Sequence, residues 1–341
     1  MVTRVCAMTV NYPMLPKVLV TARLAGEVID ALREAYDLEA HLDDHPIGRE
    51  RLLDSIADKE GLIPIITDTI DRDLLDRAPK LRVVANFGVG YNNIDVDGAT
   101  ERGILVTNTP DVLTDATADL TFALILALAR RVVELDALTR RGDFKTWAPM
   151  LNLSREVSGK NLGIVGMGRI GRAVARRAMG FGMHVLYCDP CRLDEALEKT
   201  LNAEQVGLEE LIRKADFVSL HVPLTEETRH LISSGALQLM KKESYLINVS
   251  RGPVVDESAL VAALKAGTIA GAGLDVYEKE PSLAPGLTDL ANVVLLPHVG
   301  SATVETRTKM ARLAFENLRA ALAGEVPPNL VNPEVLPKRR R

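Results

Sequence analysis

Short runs of β-branched and aliphatic residues recur along this chain, separated by stretches whose apolar positions follow helical spacing. Such alternation predicts parallel α/β sheets, because a parallel strand is buried on both faces and needs a crossover helix to bring the chain back. The first set runs KVLVT (17–21), a helix over Gly26–Ala35, then GLIPIIT (61–67), LRVVAN (81–86) and GILVTN (103–108). A second set is clearer: NLGIVG (161–166), HVLYCD (184–189), DFVSLHV (216–222), SYLINVS (244–250), IAGAGLDV (269–276) and NVVLLPH (292–298).

One long helical stretch, from Thr114 to about Arg141, lies between the sets, followed by a polar loop carrying Trp147. After His298 an amphipathic helix is expected over Thr303–Ala323, ended by the prolines of GEVPPN and packed back on the first domain. A length of 341 residues suits two domains. The expected division is a domain at 110–298 inserted into a smaller one made of 1–109 plus 299–341. Six strands with crossover helices is the count of a complete dinucleotide-binding sheet.

Composition narrows the field. A net charge of −5 argues against nucleic acid or an anionic membrane as the main partner. The basic tail Lys338–Arg341 reads as a solvated end. LTFALILALA (120–129) is about half a membrane span and therefore a buried helix. MVTRVCAMTVNYPML lacks the apolar core and cleavage site of a secretory signal. Three cysteines make no disulfide framework, which fits a reducing cytoplasm. Cys188 and Cys191 form a C-x-x-C but, with no second pair, read as small apolar filler, and no metal site is expected.

Gly166-Met167-Gly168-Arg169-Ile170-Gly171 is a G-x-G-x-x-G that follows an apolar strand and opens a helix, the context in which it binds a dinucleotide. Gly166 permits the tight turn, Gly168 lets backbone approach a pyrophosphate, and Gly171 allows close helix–strand packing. The helix N-terminus then faces the phosphates with its partial positive charge. Asp189 ends the next strand, 18 residues after Gly171, where a carboxylate accepts from ribose hydroxyls and repels a 2′-phosphate. That favours NAD. Arg192, three residues on, can hold a 2′-phosphate and keeps NADP open.

In an open parallel sheet, ligands bind beyond the carboxyl ends of the strands. Three polar groups arrive there: Arg251 after the fourth strand, Glu280 after the fifth and His298 after the sixth. Hydride transfer to a carbonyl needs an acid for the oxygen, and a histidine titrates in the right range. A nearby carboxylate such as Glu280 would orient the ring and favour its charged form. Arg251 can grip a substrate carboxylate with a bidentate fork while polarising the adjacent carbonyl.

These residues, with VGMGRIG, HVPLTEETRHLI, NVSRGPVVDESAL, GLDVYEKEP and LPHVGSAT, make the chain resemble the D-isomer-specific 2-hydroxyacid dehydrogenases, and within them the glyoxylate/hydroxypyruvate reductases. The resemblance implies a Rossmann NAD(P) domain inserted into a smaller flavodoxin-like substrate domain. It places the catalytic set on Arg251, Glu280 and His298 and a nicotinamide-contacting carboxylate on Asp275. Cofactor contacts are implied at the glycine loop and Asp189, at Val222, Pro223 and Thr228, at Val249 and Ser250, and at Gly300. FGVGYNNID (87–95) matches the family's substrate loop, with the N–H groups of Val89 and Gly90 offered to a carboxylate.

Related phosphoglycerate dehydrogenases carry an Arg where this chain has Asn86, and often a regulatory domain past the point where it stops. Both departures speak against a phosphorylated substrate. In similar reductases the Trp147 region crosses to a partner subunit, so a homodimer is expected in which Trp147 closes the other copy's pocket. Dehydrogenases of D-lactate or a bulkier 2-oxo acid, and corepressor-like NAD(H) sensors, are the alternatives within the resemblance.

Overall fold

The computed structural model describes residues 14–340. Most of the N-terminal stretch read for a signal, with Cys6, and Arg341 of the basic tail lie outside the described residues. The chain forms two compact units, Met1–Pro110 with Arg307–Arg341, and Asp111–Thr306. Residues 299–306 thus group with the second unit rather than the first.

In the first unit, β1 (Lys17–Val20), β2 (Asp37–Ala40), β3 (Gly61–Ile63), β4 (Val83–Ala85) and β5 (Leu105–Thr107) form a parallel sheet of order β2-β1-β3-β4-β5. This is the flavodoxin-like order. Val18, Leu19 and Val20 are fully buried, as a central parallel strand requires. The helix Gly26–Ala35 forms over the residues expected and buries Val28, Ile29 and Leu32. At β3 the chain needs a glycine. A Cβ on Gly61 would lie 2.7 Å from Leu318 of the final helix, Val304–Leu322, which packs into that gap.

The second unit holds a seven-stranded parallel sheet. Its strands are β6 (Asn161–Val165), β7 (His184–Cys188), β8 (Ala203–Gln205), β9 (Phe217–Leu220), β10 (Tyr245–Asn248), β11 (Gly271–Leu274) and β12 (Val293–Leu295), in the order β12-β11-β10-β9-β6-β7-β8. The six expected strands are all present and β8 is an addition, at the sheet edge beside β7. Strand order reverses between β6 and β9, which is the switch point where a ligand crevice opens.

The long helix expected from Thr114 to Arg141 is two helices, Thr114–Ala129 and Val132–Arg140. The break is at Arg131, whose backbone is left-handed (φ 53°). Its guanidinium ties the start of the second helix to the later loop, donating to Glu134 (2.9 Å) and to the Leu153 carbonyl (2.9 Å). Arg155 N–H donates to the Ala129 carbonyl (2.8 Å), so the following loop folds back on the interrupted end. Helical propensity alone gives no sign of this, because ARRVVEL is a good helical sequence.

The helix Thr114–Ala129 is the buried one. Phe122 stacks on Phe181 at 5.3 Å, and Leu124 and Leu128 lie against Gly273 of β11, where a Cβ would meet them at 3.0–3.2 Å. No helix among the described residues is long and apolar enough to cross a membrane.

Candidate active site

The glycine loop follows β6 and sits over the end of β9. Gly166 has φ 95°, and a Cβ there would come within 2.8 Å of the His221 carbonyl group. Gly171 is as constrained, because a Cβ would meet the Gly166 carbonyl oxygen at 2.2 Å. Gly168 differs: nothing lies within 4 Å of where its Cβ would be. It opens the helix Arg169–Gly180 with no side-chain cap, leaving first-turn N–H groups for an anion. Two glycines are required by the loop's own packing, and the third leaves room for something else. That arrangement fits a dinucleotide pyrophosphate.

Around the loop the polar groups are engaged. Asp189 receives Met167 N–H (2.7 Å) on one carboxylate oxygen and Cys191 N–H (2.8 Å) on the other, so it ties the loop to the end of β7. Arg192 does not stand free beside it; its guanidinium donates to both oxygens of Glu198 (3.1 and 3.0 Å). Arg169 pairs with Asp111, both exposed. His221 shares a 2.8 Å hydrogen bond with Ser219, and burial pushes its imidazole down to about 3, so it is neutral. Thr228 donates its hydroxyl to the Pro223 carbonyl (2.7 Å), shaping the turn after Val222. Cys188 is half-buried and Cys191 exposed, and both thiols are free.

Past β10, Asn248 organises the turn that carries Arg251. Its side-chain oxygen accepts Ser250 N–H (3.0 Å) and the Ser250 hydroxyl (2.9 Å), while its amide donates to the Arg251 carbonyl (2.9 Å). Val249 is buried beneath. Arg251 donates to the Ser250 carbonyl (2.7 Å); burial lowers its guanidinium and the Glu280 charge opposes that. Gly252 lets the next segment press close, since a Cβ there would overlap the Tyr277 carbonyl at 1.8 Å.

Past β11 and β12 lie the remaining groups. Glu280 Oε2 is 2.7 Å from His298 Nδ1, and its Oε1 accepts Tyr277 N–H (3.0 Å). A carboxylate only accepts, so the Nδ1 proton points at Glu280 and leaves Nε2 for other work. Burial lifts the Glu280 carboxyl, but the His298 bond and charge, with Tyr277 N–H and Arg251, outweigh it and hold the group below its ordinary value. His298 itself has left-handed backbone (φ 55°). The following N–H groups, of Val299 and Gly300, both donate to the Asp275 carboxylate at 2.7 Å. Burial pushes the Asp275 carboxyl up, against those two donors and the His298 charge.

The loop of the first unit after β4 is built from inside. The Gly88 carbonyl accepts Thr109 N–H (2.9 Å), Val89 the Asn108 amide (2.8 Å) and Gly90 the Asn86 amide (3.0 Å). With three carbonyls tied inward, the Val89 and Gly90 N–H groups donate to no protein partner among the described residues. Trp147 is 78% exposed, on a loop where Phe144 and Met150 are exposed as well.

Arg251, Glu280, His298 and Asp275 therefore share one edge of the second sheet with the glycine loop, and Val89 and Gly90 belong to the first unit. Sequence reasoning did not foresee that Asp275 grips the backbone beside His298, nor that Tyr277 N–H holds Glu280. The GLDVYEKEP motif contained both signals without their geometry.

Residues 122–300 match the family model of the D-isomer specific 2-hydroxyacid dehydrogenase NAD-binding domain. The chain is 51% identical over 327 residues to a glyoxylate reductase of Thermococcus litoralis, covering 95% of this chain and 98% of that one. A glyoxylate reductase of Pyrococcus furiosus is 50% identical, covering 96% of this chain and 98% of its own length. Among solved structures, an NADPH-dependent glyoxylate/hydroxypyruvate reductase of Sinorhizobium meliloti in complex with NADP and malonate superposes with a TM-score of 0.83. It is 36% identical and covers 96% of this chain and 99% of that chain.

Proposed function

We propose that this chain, which belongs to the D-isomer-specific 2-hydroxyacid dehydrogenase family, reduces glyoxylate and hydroxypyruvate to the corresponding 2-hydroxy acids. It is an NAD(P)-dependent oxidoreductase. The observation that carries the substrate reading is the 2.7 Å His298–Glu280 contact beside Arg251, on the sheet edge that holds the glycine loop. Relatives at 50–51% identity that carry the name glyoxylate reductase support the choice of acid over D-lactate and bulkier 2-oxo acids.

A dinucleotide held at the glycine loop would supply the hydride for this reduction. His298 holds a proton at Nε2 and releases it to the carbonyl oxygen as that oxygen becomes a hydroxyl; oxidation runs the same transfer backwards. Glu280 fixes the ring through Nδ1 and stabilises the imidazolium. Arg251 grips the substrate carboxylate and polarises the carbonyl, a use suited to a guanidinium shielded from water. In the first unit, the Val89 and Gly90 N–H groups are donors suited to a carboxylate. Gly168 and the helix it opens would hold the pyrophosphate, Asp189 the adenosine ribose, and Asp275 would lie toward the nicotinamide. The free thiols at Cys188 and Cys191 support a reducing compartment such as the cytoplasm.

Substituting His298→Asn should keep the melting temperature and NADH affinity but lower glyoxylate turnover by roughly 10²–10⁴. Full turnover in that variant overturns the assignment, and cofactor binding without turnover in the wild type would favour an NAD(H) sensor instead. The pH dependence has a definite sign. Glu280 is held below its ordinary value and stays charged above the carboxylate range. Reduction consumes a proton held by the His298–Glu280 pair, so it should fall as pH rises, oxidation should rise over the same range, and Glu280→Gln should move both limbs to lower pH.

Asp189→Asn should lower the KM for NADPH relative to that for NADH, because the charge that repels a 2′-phosphate is gone while the side chain keeps its size. An unchanged ratio would make Asp189 only the anchor of Met167 and Cys191.

The exposed Phe144, Trp147 and Met150 support a homodimer formed through this loop, with Trp147 closing the partner copy's pocket. Sedimentation should give twice the chain mass, and Trp147→Ala should alter the preference between glyoxylate and bulkier 2-oxo acids. A fully active monomer would contradict it.

A further inference from the structure

Glu257 has no part in the chemistry above, yet it is only 4% exposed, and carboxylates are seldom buried unless they hold something. It is the first residue of the helix Glu257–Ala266, but it does not cap that helix. Asp256 does, accepting Ala259 N–H (2.9 Å). The Glu257 carboxylate turns away instead and accepts Glu278 N–H at 2.7 Å, from a residue 21 positions later. That residue opens the turn that presents Glu280, closed by Ser282 N–H donating to the Lys279 carbonyl (2.8 Å). The Glu257 carboxylate thus holds the start of that turn.

A strut completes the arrangement from the other side. Glu278 Oε1 lies 2.7 Å from His230 Nε2, and Glu278 Oε2 is 3.3 Å from the Glu257 N–H. His230 belongs to the HVPLTEETRHLI motif and is itself fixed by its N–H on the Pro253 carbonyl (2.8 Å), next to Arg251 and Gly252. The charged groups facing Glu280 are His298, Arg251, Asp275 and Glu257; those facing Glu278 are His230 and Glu257. Burial lifts the Glu257 carboxyl, as do the Glu278 and Glu280 charges, while the Glu278 and Ala284 N–H groups oppose them.

We propose that Glu257 is a positioning residue, a buried hold on the turn beginning at Glu278 that sets the aim of Glu280 at His298, with His230 bracing the turn through Glu278. The proposal rests on reading Glu280 and His298 as the proton-handling pair. A carboxylate displaced by even part of an ångström loses much of its hold on the imidazolium, and misplacement on that scale is costly in an active site.

The experiment compares Glu257→Ala, Glu257→Gln, His230→Gln and His298→Asn in the full-length enzyme with glyoxylate and NADH. In Glu257→Ala, kcat should fall roughly 10-fold, KM for NADH should stay as in the wild type, and the reductive limb should break at lower pH. Glu257→Gln keeps a carbonyl oxygen for Glu278 N–H and should restore most of kcat. Should Glu257→Ala not fold, His230→Gln decides, with a smaller shift of the limb in the same direction expected. A lowered melting temperature with kcat and the pH limb unchanged overturns the positioning role. His298→Asn separates the two claims: if it turns over normally the proton-handling reading itself is wrong, and if it is slow while the Glu257 and His230 variants match the wild type, only the positioning role is.

Discussion

Two successive peptide N–H groups, those of Val299 and Gly300, end on one buried carboxylate, Asp275, and the chemistry-bearing edge of the second unit depends on that grip. It comes just after His298, whose backbone is left-handed, a conformation that costs a non-glycine residue about 1–3 kcal/mol. The two charge-assisted bonds fix the backbone leaving His298 and hold it in that conformation. Gly300 belongs to the same device: a Cβ there would stand 3.1 Å from the Asp275 oxygen and push the carboxylate off its donors. A histidine at the end of β12 thereby becomes a histidine with one defined direction.

The neighbouring carboxylates are driven in opposite senses. Asp275 is raised above its ordinary value because burial exceeds what its two N–H donors return, whereas Glu280 is lowered because His298 and Arg251 overcome its burial. The sign of each has a consequence. Asp275 is held charged at some electrostatic cost to the fold near neutrality, while the Glu280 contribution persists there and is lost only as pH falls through the carboxylate range. Arg251 lies sheltered beside them and donates to the Ser250 carbonyl.

Much of this was legible before the structure, for a physical reason. Strands buried on both faces read as apolar runs, so β1, β3 and β4 and the six strands expected in the second unit announce themselves, and their C-terminal ends locate Arg251, Glu280 and His298. The strands that escaped notice, β2 (DLEA) and β8 (AEQ), are both edge strands with one partner and exposed polar faces, which carry no such signature. The break at Arg131 was invisible because it is imposed from outside, by Glu134 and by the loop that bonds back through Leu153 and Arg155. Around the site, sequence gave residue types but not their attachments. Asp189 was read as a ribose ligand and also proves to hold the glycine loop, and Arg192, weighed as a phosphate ligand, is occupied by Glu198. Glu257 meets Glu278 across 21 residues and His230 meets it across 48, contacts that no local pattern encodes.

The central claim is that His298 is locked with Nδ1 on Glu280 and Nε2 free to carry the transferred proton. Nitrogen NMR of the enzyme labelled in its histidine rings reads this directly. Once the ring is neutral, the His298 signal should show the proton retained on Nδ1 and Nε2 bare, and Glu280→Gln should disturb that tautomer. A neutral His298 carrying its proton on Nε2, indifferent to Glu280→Gln, would contradict the assignment.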